Sequence, residues 1–291
     1  MYRFLKTTVK ELVPNLYTFL HTLWWYKKKL GVFPNVIKPG TFNEKIQYRK
    51  LHDRRPLLTL MVDKYGAREY VKRKIGEQVL PKLLFVTENP AEIPFSALPD
   101  RFVVKPTHGA GWVRVVTDKR TADTAEIVRQ CQFWMTQNYY NWTREWAYKN
   151  VKPRIIVEEF IDDAGRPIPI DYKFFVFAGT IAFIQVDIGR FKDLRRNIYD
   201  TSWNRMDVVL DFPNALDDVL RPPHLETMIE YAQVLGKDID FVSVDLYDTK
   251  ERVYFGEFTM APGHGFVQFH PKKFDEYLGG LWTVSPDALR G

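Results

Sequence analysis

The chain is nearly devoid of cysteine: Cys131 is the single one among 291 residues. This excludes an internal disulfide framework and a cysteine-rich zinc site. Cys131 falls in an apolar stretch with helical periodicity, which favours a buried side chain over a nucleophile. His108, His264 and His270 lack the spacing of zinc ligands, so we assign no zinc. A lone thiol is typical of a reducing compartment, and we expect a cytoplasmic protein.

Long hydrophobic runs are also missing. The apolar stretch at residues 16–26 is shorter than the roughly 20 residues that cross a bilayer, and no small-residue cleavage site follows it. We favour a helix docked on the protein's own core. The alternative is an interfacial helix, peripheral at the inner membrane face, with Trp24, Trp25 and Tyr26 at headgroup depth and the lysines of residues 27–29 on acidic lipid.

Internal repeats, low-complexity segments, and zinc-finger, RNP or basic-zipper patterns are absent as well. The net charge of +6 indicates an anionic partner. Without a nucleic-acid motif, that partner is better sought among acidic lipids and among phosphorylated or carboxylated small molecules than among nucleic acids. We therefore expect no nucleic-acid partner.

What the sequence does contain is the hydrophobic patterning of a folded α+β or mixed α/β chain with mostly antiparallel strands. Thr41 with Glu44 predicts a capping box at the start of a helix, and a second helix is expected to begin near Asp63 and end by Gly76. The other predicted elements are strands at 83–86, 102–105, 113–116, 154–158, 173–177 and 181–186, helices over 122–148 and 224–235, and a hairpin of 241–247 with 252–258.

A glycine-rich loop follows the strand at 102–105. Lys105 ends that strand, and Gly109 and Gly111 would let backbone N–H groups approach phosphate oxygens while the ammonium neutralises their charge. The loop is neither a Walker A motif nor a dinucleotide fingerprint, because it joins two strands and no Gly-Lys-Ser/Thr follows. An ordinary glycine hairpin explains the same residues equally well.

Two groups of acidic residues could bind a nucleotide or a metal ion, and each also has an ordinary structural explanation. Glu158 and Glu159 end a hydrophobic strand, where they could contact an adenine edge or simply be solvated, and Asp171 could bind ribose hydroxyls. Asp245 and Glu257 lie on the two arms of the last hairpin, and an unpaired buried carboxylate there is costly. They are either magnesium ligands, together with Thr259, or partners of lysine or arginine side chains.

The order of Lys64, Lys105, the Glu158-Glu159 pair, Asp245 and Glu257 resembles that of the ATP-grasp superfamily. Four segments narrow the resemblance to its TupA-like group, which is associated with teichuronopeptide and capsular polysaccharide biosynthesis. These segments are residues 39–45, 63–65, 171–174 and 256–259, and the likeness covers roughly residues 39–282.

The resemblance implies an α+β chain with the ATP-grasp fold, in which two α+β lobes hold the nucleotide between them after an N-terminal helical region. It implies four parts: an N-terminal helical segment (1–38), an N-terminal α/β region (39–100), a lid subdomain (101–160) and a C-terminal catalytic subdomain (161–291).

The resemblance also implies ATP and Mg²⁺ as cofactors. The implied nucleotide-binding residues are Lys64 and Lys105 on phosphates, His108, Gly109 and Gly111 in the loop, Glu158 on the adenine amino group, the backbone of Glu159 and Ile161, and Asp171 on the ribose. Asp245 and Glu257 would hold the metal. Thr259 stands where many ATP-grasp ligases have asparagine, and Ser243 stands where some relatives carry an arginine.

Because Ser243 cannot supply a positive charge, oxyanion stabilisation must come from elsewhere. The candidate catalytic residues are Arg190, Arg195, Arg196, His264 and Lys173. Guanidinium groups bind carboxylate and acyl-phosphate groups in a bidentate fashion, although a solvated basic loop would have the same composition.

The function implied is an ATP-dependent carboxylate–amine ligase that forms a C–N amide bond through an acyl phosphate. The resemblance points to an amino acid and to a uronic acid of a surface polysaccharide or its precursor, either a small molecule or a lipid-linked saccharide. A glycosyltransferase of capsule synthesis, a sugar kinase and a non-catalytic nucleotide-binding protein are the alternatives.

Overall fold

The computed structural model describes residues 14–163, 169–189 and 193–284 of the 291-residue chain. In this part of the chain the helices are α1 (Pro14–Leu30), α2 (Phe42–His52), α3 (Pro56–Val62), α4 (Gly66–Ile75), α5 (Thr124–Met135), α6 (Tyr140–Thr143), α7 (Leu225–Gly236) and α8 (Lys273–Leu281). None of the described helices is long and apolar enough to cross a membrane.

Among the described residues the strands form three sheets, and every pairing between them is antiparallel, in agreement with the mostly antiparallel strands predicted from the sequence. They are β1 (Leu83–Thr87), β2 (Phe102–Pro106), β3 (Arg114–Val116), β4 (Ile155–Glu159), β5 (Asp171–Phe177), β6 (Thr180–Ile188), β7 (Arg195–Tyr199), β8 (Val209–Leu210), β9 (Val242–Asp248), β10 (Val253–Thr259) and β11 (Phe269–His270). A four-stranded sheet has the order β1-β4-β2-β3, a five-stranded sheet the order β10-β9-β5-β6-β7, and β11 pairs with β8.

The five-stranded sheet is covered on both faces because residues 174–177 of its central strand β5 are apolar without interruption. On β5, Phe174 and Val176 join a core cluster with α3, α4 and α7. The alternate residues Phe175 and Phe177 join a second cluster with α2 and α8. The alternation arises because successive side chains of a β-strand point to opposite faces of the sheet.

The four-stranded sheet has its own core against α5. Phe102, Val104 and Val157 pack there with Ile127 and the fully buried Cys131. Burial raises the pKa of the Cys131 thiol to about 12, so the thiol stays protonated at neutral pH. Its predicted role as a buried apolar side chain is confirmed.

The predicted start of α2 and the predicted end of α4 are confirmed by their capping residues. The Thr41 hydroxyl accepts a hydrogen bond from the Glu44 N–H at 3.3 Å, and the Glu44 carboxylate accepts one from the Thr41 N–H at 3.2 Å, which completes the predicted capping box. Gly76 ends α4 with φ 92°, a conformation that favours glycine.

The prediction of one long helix over residues 122–148 is wrong. The helix α5 ends at Met135, and the side chain of Asn138 then accepts a hydrogen bond from the Tyr140 N–H at 3.1 Å to start a separate turn. Arg144 adopts a left-handed φ of 58° and stops that turn. The polar Thr-Gln-Asn sequence after Met135 interrupts the helix, because asparagine competes with the backbone for hydrogen bonds.

The four predicted parts of the chain remain a prediction. The strand β1, inside the 39–100 region, shares a sheet with β2 and β4, which the prediction places in the lid. The five-stranded sheet lies wholly within the 161–291 region.

Candidate active site

One cleft contains residues from both larger sheets. A cavity of about 250 Å³ is lined from the four-stranded sheet by Val103, Lys105 and Glu158, and from the five-stranded sheet by Phe255 and Glu257. Its other lining residues include Lys64, Gly111, Trp112, Val115, Glu159, Phe160, Ile161 and Tyr247. The cavity therefore combines apolar walls with positive and negative groups.

Lys64 connects the glycine loop to the last hairpin. It lies in the turn between α3 and α4, where its N–H donates to the Thr107 carbonyl at 3.2 Å. Its Nζ donates to the Gly109 carbonyl at 2.6 Å and lies 3.1 Å from Glu257 Oε2. One ammonium thus joins the loop and the candidate metal carboxylate.

Two positions of the glycine loop require glycine. A Cβ at Gly109 would come within 2.6 Å of the Trp112 ring, and Gly111 has φ 75°. His108 is buried beneath the loop, where its Nε2 donates to the Trp134 carbonyl of α5 at 2.9 Å. Burial lowers the pKa of His108, so the ring is neutral and anchors the loop from below.

Glu158 has two cationic partners, one of which the sequence analysis missed. Its Oε2 lies 2.6 Å from Lys105 Nζ, and its Oε1 accepts from Arg68 Nη1 at 2.7 Å. Each oxygen of this buried carboxylate already has a cationic partner, so an adenine amino group would have to share the carboxylate with Lys105 and Arg68. No local signal in the sequence points to Arg68, because it lies 90 positions from Glu158.

Glu159 and Ile161 lie at the edge of the cleft. Glu159 accepts a hydrogen bond from the Lys82 N–H at 2.8 Å, and Arg252 lies 3.4 Å from the same oxygen. The Glu159 N–H donates to the Lys82 carbonyl at 2.9 Å, so that backbone donor is already used. Ile161 contributes to the apolar lining next to Phe160.

Strand register brings the candidate metal ligands together. Asp245 of β9 is paired directly with Glu257 of β10 on one side and with Lys173 of β5 on the other. The Lys173 ammonium contacts the Asp245 carboxylate directly and lies 2.8 Å from Asp171 Oδ2. Asp171, predicted to bind ribose, is therefore an ion-pair partner of Lys173.

The charges of this cluster shift one another's pKa values. Burial raises the pKa of Asp245 to about 7, with Asp171 and Glu257 adding to the rise and Lys173 opposing it. Burial would also raise the pKa of Glu257, but the ammonium groups of Lys64 and Lys173 outweigh it and hold that pKa well below its usual range. Burial would lower the pKa of Lys173, and its carboxylate neighbours raise it instead.

The donor set fits a magnesium ion that is completed by other ligands. Asp245 and Glu257 offer hard oxygens, and the Thr259 hydroxyl lies 3.5 Å from Asp245 Oδ2. The Ser243 hydroxyl donates to Asp245 Oδ1 at 2.8 Å and so orients the carboxylate. The described residues contain no group of three or more His, Cys, Asp or Glu side chains that could hold a metal, so phosphate oxygens and water would supply the remaining ligands.

Of the predicted arginines, the two that the structure describes, Arg195 and Arg196, do not line the cleft. Arg196 is buried and forms a bidentate ion pair with Asp187, with N···O distances of 2.6 and 3.1 Å. Arg195 pairs with the exposed Asp193 at 3.0 Å. Arg190 lies outside the described residues. The guanidinium of Arg196 thus satisfies an internal carboxylate, because an unpaired buried aspartate on the neighbouring strand would be costly.

His264 lies on the loop that follows β10 and has a left-handed φ of 58°. Its Nδ1 donates to Glu145 Oε1 at 2.7 Å, and its carbonyl accepts from Lys50 Nζ at 3.1 Å and Gln47 Nε2 at 2.9 Å. Burial lowers the pKa of Lys50 to about 8. Lys50 and Glu145 could not be identified from the sequence, since their contacts with His264 span 214 and 119 positions and leave no local pattern.

Aromatic residues connect this loop to the glycine loop. The Tyr139 ring lies 6.2 Å from the His264 ring and 5.7 Å from the Trp112 ring, centroid to centroid. Trp112 in turn lines the cleft. The His264 loop is therefore adjacent to the cleft, and the cleft together with this neighbourhood forms the candidate active site.

The sequence model of the TupA-like ATP-grasp family matches residues 44–283, well over half of the chain. The protein belongs to this family, and its fold is the ATP-grasp fold. The resemblance and the fold class predicted from the sequence are thereby confirmed. A comparison with curated proteins returns no match.

Among solved structures, the chain is similar to a D-alanine–D-alanine ligase from Bacillus anthracis, with 15% identity, a TM-score of 0.44 and coverage of 73% of this chain and 60% of the ligase. It is similar to an N5-carboxyaminoimidazole ribonucleotide synthetase solved with ADP, with 14% identity, a TM-score of 0.45 and coverage of 70% and 46%. It is also similar to the ATP-grasp ligase PsnB, solved with a minimal precursor. The identity is 10%, the TM-score is 0.42, and the match covers 72% of this chain and 55% of PsnB. The chain spans about half of the length of these proteins, and the family match alone carries the assignment.

Proposed function

We propose that this protein is an ATP-dependent carboxylate–amine ligase that forms an amide bond through an acyl phosphate. The observation that carries the proposal is that Lys64, Lys105 and Glu257 line one cleft. Asp245 is paired with Glu257 at the same place. Two ammonium groups and one carboxylate in the cleft, with a second carboxylate beneath on the neighbouring strand, suit a nucleoside triphosphate with its divalent cation.

The nucleotide would enter with its base among the apolar residues of both sheets. Val103 and Val115 line the cleft from one sheet, and Tyr247 and Phe255 from the other. Apolar side chains on two sides of a planar base provide the burial that a small-molecule site needs. The triphosphate would then reach towards Lys64, Lys105 and the glycine loop.

In the first step, a substrate carboxylate oxygen would attack the γ-phosphorus, and the bond from that phosphorus to the β-phosphate oxygen would break, releasing ADP. Lys64 and Lys105 would neutralise the phosphate charge and hold the triphosphate for attack. Magnesium held by Asp245, Glu257 and Thr259 would supply further charge neutralisation on the phosphate oxygens.

In the second step, an amine nitrogen would attack the acyl carbon, the bond to the phosphate oxygen would break, and the amide and inorganic phosphate would form. The amine must lose its proton for this attack. His264 is a candidate for that proton transfer, since Glu145 holds its Nδ1 and half of the side chain remains exposed. Closure of the glycine loop would exclude water from the acyl phosphate.

For the substrates we propose an amino acid and a uronic acid of a surface polysaccharide, either free or lipid-linked. Membership of the TupA-like family supports this choice. The test is an ADP-release screen of amino acids against galacturonic and glucuronic acid derivatives, with Glu257→Gln as the inactive control. The exposed Glu69→Gln on α4 is the matched active control.

Hydroxylamine added to the same reaction separates a ligase from a sugar kinase. A ligase converts the trapped acyl phosphate to a hydroxamate without any amino acid, whereas a kinase releases ADP and leaves a phosphorylated sugar hydroxyl. ADP release with no hydroxamate and a stable sugar phosphate would overturn the ligase proposal.

A further inference from the structure

The helix α1 is turned with its apolar side outwards. The side chains that it buries against the rest of the protein are Thr18, Thr22 and Tyr26, of which Thr22 is 0% exposed. Leu20 and Trp24 on the opposite side are 50% and 56% exposed. A surface helix of a globular protein normally shows the reverse, with apolar residues inside and polar ones in water.

The exposed apolar surface extends beyond α1. Seven of the seventeen large hydrophobic side chains that are exposed in the described part of the chain fall between residues 16 and 37, so exposure here is concentrated and not scattered. They are Leu16, Phe19, Leu20, Trp24, Val32, Phe33 and Ile37. We call them the α1 patch.

The excess positive charge of the whole chain falls in the same stretch of the sequence. The first 40 residues contain seven lysines and arginines and one acidic residue, which accounts for the full net charge of +6. Between Glu11 and Glu44 the sequence has no acidic residue. Lysines 27, 28 and 29 are exposed at the end of α1, and the Lys28 ammonium lies 4.9 Å from the ring centroids of both Trp24 and Trp25.

We propose that the α1 patch docks on the surface of an anionic phospholipid bilayer. The helix lies in the plane of the interface, with Leu16, Leu20 and Trp24 among the acyl chains and the lysines on lipid phosphates. A second copy of this chain is a poorer occupant, because two such faces would bring the same uncompensated positive charge together.

The docking surface adjoins the candidate active site. Thr18 of α1 lies 3.4 Å from the Tyr140 hydroxyl, and Tyr17 stacks against the Arg144 guanidinium at 4.6 Å. Tyr26 contacts the Phe266 ring, two residues beyond His264. The bilayer would therefore lie close to the segments that carry Glu145 and His264, although docking does not depend on the proposed ligase activity.

Cosedimentation of the 291-residue chain with vesicles tests the proposal, using phosphatidylcholine alone and an equal mixture with phosphatidylglycerol. An apolar variant carries Leu16→Ser, Leu20→Ser and Trp24→Ser, and a charge variant carries glutamine in place of lysines 27–29. Matched controls change exposed residues elsewhere: Leu216→Ser with Leu220→Ser, and Lys72→Gln with Lys237→Gln and Lys250→Gln.

We expect wild type and both controls to bind the anionic vesicles and not the neutral ones. The apolar variant should bind at least about tenfold more weakly, and the charge variant about a hundredfold more weakly, with unchanged thermal melting. Equal binding of all variants, or wild-type binding that ignores lipid charge, would overturn the proposal. So would a wild-type dimer that the apolar variant abolishes while vesicle binding persists, since the patch would then be covered by a second copy.

Discussion

Lys173 and Asp245 face each other across β5 and β9, and their side chains are in direct contact. The same ammonium lies 2.8 Å from Asp171 Oδ2, so one buried lysine serves two buried carboxylates. Asp245 is paired on its other side with Glu257. Any cation that binds these acids must share them with Lys173, which makes this lysine the central charge of the candidate active site.

Replacing Lys173 by methionine should therefore destabilise the protein. Two carboxylates would be left buried without their cation, and we expect a loss of about 3–5 kcal/mol in the free energy of unfolding at pH 8. Asp245 already has a raised pKa, and loss of the cation raises it further. The folded state then binds more protons than the unfolded one, so the variant should recover stability as the pH falls from 8 to 5.

Urea denaturation at pH 8, 6.5 and 5 measures this change in stability. The control is Lys152→Met, which alters an exposed lysine and should shift the free energy of unfolding by less than about 0.5 kcal/mol at every pH. A Lys173→Met variant that parallels this control would contradict the role assigned to the buried ammonium.

Gly109→Ala should affect nucleotide binding more than stability. The new Cβ would lie 2.6 Å from the Trp112 ring, and that ring lines the cleft. Trp112 must shift, which changes the wall of the cleft proposed for the nucleotide, so we expect KM for ATP to rise about tenfold or more. Steady-state ADP release measures it, and Gly280→Ala, where a Cβ meets nothing, is the control. An unchanged KM in both variants would place the nucleotide elsewhere.

Arg196→Met separates folding from catalysis. Since Arg196 forms a buried bidentate pair with Asp187, its loss should cost about 3–5 kcal/mol of stability. It does not line the cleft, so kcat per folded molecule should stay within about twofold of wild type. Denaturation curves give the free energy of unfolding, and active-site titration gives kcat per folded molecule. A large fall in kcat with unchanged stability would support the substrate role predicted from the sequence.

Lys50 gives a second pH-dependent signature. Burial lowers its pKa from 10.5 to about 8, so above pH 8 the unfolded chain holds a proton that the folded chain has released. The free energy of unfolding should therefore rise by up to about 3 kcal/mol between pH 8 and 10.5 in wild type, relative to Lys50→Met. Urea titrations of both proteins across this range measure the difference, and parallel pH profiles would show that Lys50 is not buried as described.

Strands, hairpins and caps were predictable because their signals are local. The capping box at Thr41 needs only Glu44 three residues later, and the hairpin at Ala178-Gly179 needs only a turn between two apolar strands. The shared cleft of Lys105 and Glu257 came from the family resemblance, which carries the order of motifs along the chain.

The remaining contacts could not be predicted, because they join residues far apart in sequence. Arg68 reaches Glu158 across 90 positions, and His264 reaches Glu145 across 119. Arg196 was expected to bind substrate because a cluster of arginines has the same composition whether it faces a ligand or an internal aspartate. Only the register of β6 with β7, which sets Asp187 opposite Arg196, distinguishes the two.

The measurement that tests the central claim most directly is calorimetric titration of ATP into the protein with and without Mg²⁺. Wild type should bind ATP more tightly when Mg²⁺ is present. Lys105→Met should weaken binding under both conditions, whereas Glu257→Gln should abolish mainly the gain that Mg²⁺ provides. If both variants bind ATP as wild type does, with the same response to Mg²⁺, the cleft between the two sheets is not the nucleotide site.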